Sequence, residues 1–202
     1  MGHEFPPARR LSQLISIEKA DRGAAVQAVA EWLATVVAAP VRGGGPQTAL
    51  CPWAVKTLDL DCLYLSVVDR AADRDEILAG MRHLGAVFAE FEPPRRPASV
   101  YRAAGMLFTR QEAGLCSALD DVTGQLKAEF LERGLLVGRF HESRRRLSRR
   151  RPGQLAMTSP RPLIMLREVV PQDRYLLDNA EVPADERRDR LERLDRWLEL
   201  SP

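Results

Sequence analysis

Apolar residues recur along the chain at two spacings, which predict amphipathic helices alternating with buried strands. Spacings of three and four residues predict four helices: one after Gly23, one after Asp73, one at about 111–133 and one at 185–200. Uninterrupted apolar or β-branched runs predict strands at 60–68, 100–109, 135–141 and 162–170. The last two strands are neighbours in sequence, so we expect an antiparallel pair with a long, irregular connection.

This order of elements favours a single α+β or α/β domain in which about four strands are covered by amphipathic helices. We expect residues 1–22 to form a flexible N-terminal arm and residues 23–202 to form the domain, with helical elements at both ends. Asp73 is expected to cap its helix, and Gly134 stands where a left-handed glycine ends one. The candidate core residues on the helices are Val26, Val29, Trp32, Leu33, Val36, Val37, Ile77, Met81, Leu84, Phe88, Phe91, Leu115, Leu119, Val122, Leu126, Phe130, Leu191, Leu194, Trp197 and Leu198.

Composition narrows the class of protein. The 202 residues are 45% hydrophobic and 29% charged with a net charge of +2, which is typical of a folded domain rather than a disordered tail. The longest apolar stretch, at 32–40, is about half of the ~20 residues that a membrane-spanning helix needs. Residues 1–10 lack the apolar region of a signal peptide, and an odd number of cysteines favours a reducing compartment. We therefore expect a cytoplasmic protein that does not bind membranes.

Positive charge is concentrated in one segment. Residues 139–151 contain seven arginines and one acid, Glu142, which gives this segment a charge of +6 and leaves about −4 for the rest. Such a segment attracts carboxylates, phosphates or the propionate groups of a cofactor. A solvated, partly mobile surface loop is the alternative interpretation. Nucleic-acid binding is disfavoured, because the segment lacks interleaved aromatic residues and a recognition-helix pattern.

His141 is the strongest candidate for chemistry, since it ends a predicted strand beside this cluster. Neutral imidazole binds transition metals and acts as an acid or base near neutral pH. A histidine that binds nothing is the alternative. Ser143 or Ser159 could join His141 and an aspartate in a Ser-His-Asp set, but no spacing supports that set. Of the other histidines, His3 lies in the predicted arm and His83 is expected at a helix surface.

Cys51 precedes Pro52 just ahead of the first predicted strand. A thiolate can bind heme iron, and the proline fixes the backbone beside it. The alternative is a small buried apolar residue at the strand entrance. Cys62 and Cys116 are predicted to be core packing residues. The sequence contains no zinc-site spacing and no phosphate-binding glycine loop.

Four motifs resemble, in order, a domain family of unknown function that is common in actinobacterial proteins. They lie at 50–55 (LCPWAV), 63–68 (LYLSVV), 130–141 (FLERGLLVGRFH) and 159–167 (SPRPLIMLR), so that the resemblance covers about 50–177. Members often sit beside natural-product biosynthesis enzymes, and the family implies no reaction. This chain departs from the pattern at Trp53, where members have phenylalanine, and at Glu142, where they tend to have proline.

Residues 140–144, followed by Arg149 and Arg150, are also similar in order to small heme-dependent N-oxygenases, which hydroxylate amino-acid or guanidine nitrogen. This more distant resemblance implies a bound heme with His141 as the iron ligand. It further implies that Arg139, Arg144 and Arg145 hold propionates or substrate, and that Cys51 lines the pocket. It assigns no other catalytic residue.

Two functions follow as expectations. The first is a biosynthetic heme oxidoreductase that acts on nitrogen of an anionic or zwitterionic small molecule. The alternative is a non-catalytic accessory protein that binds an anionic small molecule. A homodimer formed through the C-terminal helix or the helix around Trp32 is a further expectation.

Overall fold

A computed structural model describes residues 5–17, 20–42, 44–45, 48–93, 98–148, 150–178 and 182–200. These ranges contain five strands and seven α-helices. The strands are β1 Arg9–Arg10, β2 Leu63–Val68, β3 Ala103–Phe108, β4 Leu135–Phe140 and β5 Leu163–Glu168. The α-helices are α1 Leu11–Ile17, α2 Ala20–Trp32, α3 Pro52–Asp59, α4 Arg74–Val87, α5 Leu115–Glu132, α6 Arg174–Leu177 and α7 Ala184–Leu200, and a π-helical turn, Leu33–Val37, continues α2.

The strands form one mixed sheet in the order β1-β2-β3-β5-β4. β2 and β3 are parallel, and α4 lies between them in the chain as a crossover helix. All other neighbours are antiparallel, including β4 and β5, in which Phe140 pairs with Leu163 and Leu135 with Glu168. The predicted antiparallel pair around the arginine-rich connection is therefore confirmed, and β1 adds a short fifth strand.

Helices cover both faces of this sheet, because strand side chains alternate between the faces and those of β2 and β3 are buried on both. One face packs on α4 and α5 through residues that include Val68, Met106, Phe108, Val137 and Ile164. The other packs on α1, α2 and α3 through residues that include Leu63, Leu65, Val67, Leu107 and Leu163. The α+β fold expected from the sequence is the fold observed.

Most helical core positions agree with the periodicity of the sequence, but Val36 is 38% exposed, which corrects its expected place on the apolar face. Ile77, Met81, Leu119, Val122, Leu126 and Phe130 are all fully buried between the sheet and its helices. Asp73 caps α4 as predicted: its Oδ1 accepts a hydrogen bond from the Glu76 backbone N–H at 2.8 Å, and the Glu76 carboxylate accepts one from the Asp73 N–H at 3.0 Å.

Two helical apolar faces considered for dimerisation cover the chain's own core, since Leu194 is buried beside Leu131 and Trp32 contacts Phe140. Dimerisation stays a prediction.

The described part of the predicted N-terminal arm contributes residues to the sheet and to the core. Arg9 pairs with Leu65 at the sheet edge, and Leu11 and Leu14 of α1 are buried. Before them, the carbonyl of Pro6 accepts a 2.5 Å hydrogen bond from the Ser66 hydroxyl. Periodicity missed this segment because α1 is only seven residues long, too short for an apolar stripe to be recognised. Residues 1–4, which include His3, and residues 18–19 lie outside the described residues.

Two element boundaries also differ from expectation. α2 begins at Ala20 rather than after Gly23, and the segment at Cys51 enters helix α3, so β2 starts at Leu63 rather than at residue 60. Pro52 occupies the first turn of α3, where its missing N–H is tolerated.

Cys116 is only partly buried, which corrects its expected core position, whereas Cys62 is buried. Among the described residues, no helix is long and apolar enough to cross a bilayer.

Arg102 connects the turns before β3 to the sheet. Its buried guanidinium donates to the carbonyls of Ala89 and Phe91 at 3.0 and 2.8 Å and pairs with Glu168 at 2.6 Å. These carbonyls follow α4, where the chain has no regular hydrogen-bond ladder. Arg102 thus supplies hydrogen-bond donors to backbone carbonyls in this irregular segment.

Gly134 allows the turn between α5 and β4, and we expect its substitution to be unusually damaging. Its φ is +67°, and a Cβ at this position would collide with the Trp197 ring of α7. Gly153 has a similar φ of +83° but no neighbouring atom within 4 Å of such a Cβ. Gly153→Ala should therefore lower the free energy of unfolding by about 1–2 kcal/mol, from backbone strain alone. Gly134→Ala should lower it by about 3 kcal/mol or more, because the ring must also move.

Urea unfolding of both variants checks this prediction. In a Trp197→Ala background, Gly134→Ala should lower the free energy of unfolding by no more than Gly153→Ala lowers it in the unmodified protein, because the collision is gone. Equal losses for the two single variants would contradict the role given to Trp197.

Candidate functional site

The first turns of α5 and the end of β4 bring an acid, a guanidinium and an imidazole together. Arg139 and His141 follow Val137 at intervals of two, so they project toward α5 on the same face of the sheet. Asp120, in the second turn of α5, meets them there. Its Oδ1 accepts a hydrogen bond from the Arg139 Nε and lies 3.7 Å from the His141 Nε2 and 3.8 Å from an Arg144 nitrogen.

The imidazole of His141 is enclosed, with only 2% of the residue exposed. Its Nδ1 lies 2.8 Å from the hydroxyl oxygen of Ser143. Its Nε2 is buried and has no hydrogen-bond partner among the described residues, although the Asp120 carboxylate is the nearest acid. His141 is therefore held between a serine on one side and an aspartate on the other.

The surroundings keep His141 neutral and Asp120 ionised. Burial lowers the pKa of His141, the charge of Asp120 opposes this shift, and Arg139 and Arg144 add to it. Burial opposes ionisation of Asp120, but the hydrogen bond from Arg139 and the nearby positive charges outweigh it and lower the pKa of this carboxyl group. At neutral pH the site thus contains a free base next to a carboxylate.

The arginine-rich connection forms a short hairpin in its described part, and several of its residues, among them Arg145, Leu147 and Arg150, are exposed. Leu147 and Leu155 form an antiparallel bridge, and the Ala156 N–H donates to the Arg146 carbonyl at 2.8 Å. The Ser148 hydroxyl accepts hydrogen bonds from the backbone N–H groups of Arg150 and Arg151 at 3.1 and 3.0 Å. The backbone of this segment is therefore paired with itself.

The described arginines of residues 139–151 are close together in the sequence but lie at different places in the fold. Arg139 and Arg144 lie at Asp120, whereas Arg145 is exposed and makes no ion pair with a described residue. Arg151 reaches the α2 side of the molecule, where it donates to the Ala39 carbonyl at 3.2 Å. Arg149 lies outside the described residues. Only two of the three arginines expected to hold an anion are thus brought together.

Lys127 extends this positive region along α5. It is two helical turns beyond Asp120 on the same face of the helix. Its amino group is partly buried and has no hydrogen bond or ion pair with a described residue. The pKa of Lys127 is lowered to about 8, mainly by burial; Arg190 of α7, Arg139 and Arg144 contribute to the shift, and Glu186 opposes it. Lys127 is therefore an amine crowded by positive charge.

Cys51 lies on the other face of the sheet from His141. It precedes α3 and packs with Leu63, Leu65 and other residues of the face covered by α2 and α3. His141 instead faces Asp120 of α5. The structure therefore does not bring Cys51 to the pocket that the heme resemblance implies, and its surroundings agree with the alternative of a small apolar packing residue.

His141 does not fit an axial heme ligand in this arrangement. A porphyrin face at Nε2 would have to occupy the space between the ring and Asp120, and one at Nδ1 would replace Ser143. A cleft of about 220 Å³ does occur, but it lies under residues 5–8 and is lined by residues such as Ser66, Leu84 and Met106, not by His141. The described residues also contain no group of three or more His, Cys, Asp or Glu side chains able to hold a metal ion.

Comparison with known proteins gives a family but no function. Residues 26–194 match the model of the family described as a domain of unknown function, DUF6875. The chain belongs to the DUF6875 family. No curated protein and no solved structure matches the sequence. Membership of an uncharacterised family, which the sequence motifs predicted, is thus confirmed, over a longer range than the motifs covered.

Sequence reasoning on this DUF6875 protein found His141 and Arg139 but missed Asp120 and Lys127. Both missed residues lie on the polar side of an amphipathic helix, where most charged residues are only solvated. One signal was available: Lys127 is one of only three lysines, with Lys19 and Lys56, in a chain that otherwise uses arginine. His83 is exposed, as predicted.

The burial of neutral His141 predicts an acid-sensitive fold. Because the pKa of His141 in the folded protein is below its ordinary value of 6.5, the unfolded chain takes up the proton first as pH falls. Stability should therefore decline below about pH 6.5, by at most about 1.4 kcal/mol per pH unit for one proton. Asp120 has a lowered pKa as well, but its ordinary value is 3.8, so its contribution is lost only at lower pH.

Urea unfolding between pH 7.5 and 5.5 measures this slope. His141→Asn should flatten it, whereas His83→Gln, at an exposed position, should leave it unchanged. The same stability at pH 5.5 and 7.5 in the unmodified protein would contradict the prediction.

Proposed function

We propose that this DUF6875 protein binds an anionic small molecule, with a carboxylate or phosphate group, at Lys127 between α5, β4 and α7. The single observation that supports this proposal is the partly buried Lys127 amine, which is crowded by guanidinium groups and pairs with no described acid. Isolated buried charge is unfavourable, so a site of this kind is stabilised when an anion enters it.

The neighbouring charges support an anion rather than a cation as the ligand. Arg139 is paired with Asp120, and Arg190 with Glu186 one turn before it on α7. Each of these two pairs is neutral, whereas Lys127 has no acid partner among the described residues. A partly buried ammonium forms charge-assisted hydrogen bonds with carboxylate or phosphate oxygens.

The heme-dependent oxidation of nitrogen expected from the distant resemblance stays a prediction. The positions of His141 and Cys51 supply no observation that favours it over anion binding. Titration with hemin separates the two: a saturable Soret band near one equivalent that disappears in His141→Ala would support heme binding. The place of the protein in natural-product biosynthesis, as an accessory protein that holds an anionic intermediate, is likewise part of our proposal.

Calorimetric titration with pyrophosphate and with citrate at low salt tests anion binding. We expect Lys127→Gln to weaken binding by about tenfold or more, which corresponds to about 1.4 kcal/mol. Lys56→Gln is the matched control, since Lys56 is exposed and lies 3.6 Å from Asp59. It should change affinity less than twofold.

Proton uptake gives a second readout of the same site. A bound anion raises the pKa of Lys127 above its value of about 8, so binding at pH 8.5 should take up part of a proton. Titrations in buffers with different ionisation enthalpies measure this uptake. Uptake that persists in Lys127→Gln, or equal affinities of the two lysine variants, would overturn the proposal.

A further inference from the structure

We propose that Ser143 is an activated nucleophile, with His141 as its general base and Asp120 as the residue that positions His141. The sequence suggested a set of Ser143 or Ser159, His141 and an unspecified aspartate but did not identify the acid, because Asp120 is 21 positions away from His141 on another element. The fold places them in one row: serine hydroxyl, imidazole and carboxylate. Nucleophilic serines are recognised by this arrangement and not by spacing in the sequence.

The geometry of the row suits proton transfer from the serine. The Ser143 hydroxyl oxygen is 2.8 Å from the His141 Nδ1, within hydrogen-bond distance. Ser143 itself is exposed, so a reagent can reach its oxygen, while the imidazole behind it is buried. A nucleophile open to solvent beside a base shielded from solvent is the arrangement that acyl transfer requires.

Asp120 decides which nitrogen of His141 carries the proton. Its carboxylate lies 3.7 Å from Nε2, the ring atom that lacks a hydrogen-bond partner among the described residues. A neutral imidazole carries one proton, and a carboxylate beside Nε2 favours placing it there. Nδ1 is then an acceptor that faces the Ser143 hydroxyl. A shift of Asp120 by less than 1 Å completes the row, and such contacts commonly tighten when substrate binds.

The step is a transfer of an acyl group to Ser143. The Ser143 oxygen bonds to the carbonyl carbon, its proton passes to the His141 Nδ1, and the alcohol of the ester leaves with that proton. Water then cleaves the acyl-serine by the same route and releases the acid. The substrate class is therefore an activated ester. The reactivity of Ser143 does not depend on the function proposed above for Lys127. The presence of a carboxylate or phosphate on the acyl group does rest on that function.

A neutral alkyl fluorophosphonate tests this reactivity without an anionic ligand. The serine oxygen displaces fluoride from phosphorus, and peptide mass spectrometry locates the adduct. We expect one adduct, at Ser143, that is absent from Ser143→Ala and unchanged in Ser117→Ala, an exposed serine one turn before Asp120. Labelling should also be unchanged in Lys127→Gln, so that failure of anion binding and failure of this inference are distinguishable.

The base and the positioning residue have their own readouts. Asp120→Asn should slow labelling, and Asp120→Glu should restore part of the rate. If both variants unfold at the same urea concentration, the difference in labelling rate is not caused by a difference in stability. Because His141 is buried and its substitution also disturbs the packing around it, Ser143→Cys gives an independent measurement. Its alkylation by iodoacetamide should be about 100-fold faster than that of Ser117→Cys, the lower end of general-base effects.

Two results would overturn the inference. One is the absence of an adduct at Ser143, or labelling of Ser143 no faster than of Ser117. The other is equal alkylation rates of the two cysteine variants, which would show that His141 and Ser143 share only a structural hydrogen bond.

Discussion

The carboxylate of Asp120 is the charge on which the arrangement of the site depends. It compensates Arg139, it is the nearest acid to His141, and it lies within 4 Å of Arg144. Without it, two guanidinium groups and a buried imidazole would face one another in a partly desolvated region, which is strongly unfavourable. Because Asp120 lies on α5 and the other three residues on or just after β4, this one side chain also connects a helix to the edge strand of the sheet.

The same packing that builds the core creates the site at its margin. α5 is anchored to the sheet by fully buried residues, among them Leu119, Val122 and Leu126. These hold the polar face of the helix, with Asp120 and Lys127, in a fixed position beside β4. α7 closes the region from the other side, where Arg190 is buried and the Trp197 ring fills the space beside Gly134. The site is thus supported by rigid elements, with only Ser143 and Arg144 contributed by a turn.

The two proposals share residues but rest on different physical observations. Anion binding rests on the partly buried Lys127 amine, which has no acid partner among the described residues, whereas the reactivity of Ser143 rests on a hydrogen bond to a neutral base. Together they describe one chemistry, in which an anionic group positions an ester near Ser143. The pKa shifts of His141 and Lys127 act in the same direction, since burial and neighbouring guanidinium groups disfavour the protonated form of both.

The sequence by itself determined the elements and the layers. Periodicity placed α4, α5 and α7, and apolar runs placed four of the five strands, because burial of one helix face or of a whole strand imposes a local pattern. It also singled out His141 and Arg139 by their position beside dense charge. Only the tertiary structure decided that Asp120 and Lys127 join them, that Arg145 does not, and that Cys51 packs on the opposite face. Those contacts connect residues far apart in the chain, and no local pattern encodes which polar helix face meets which strand end.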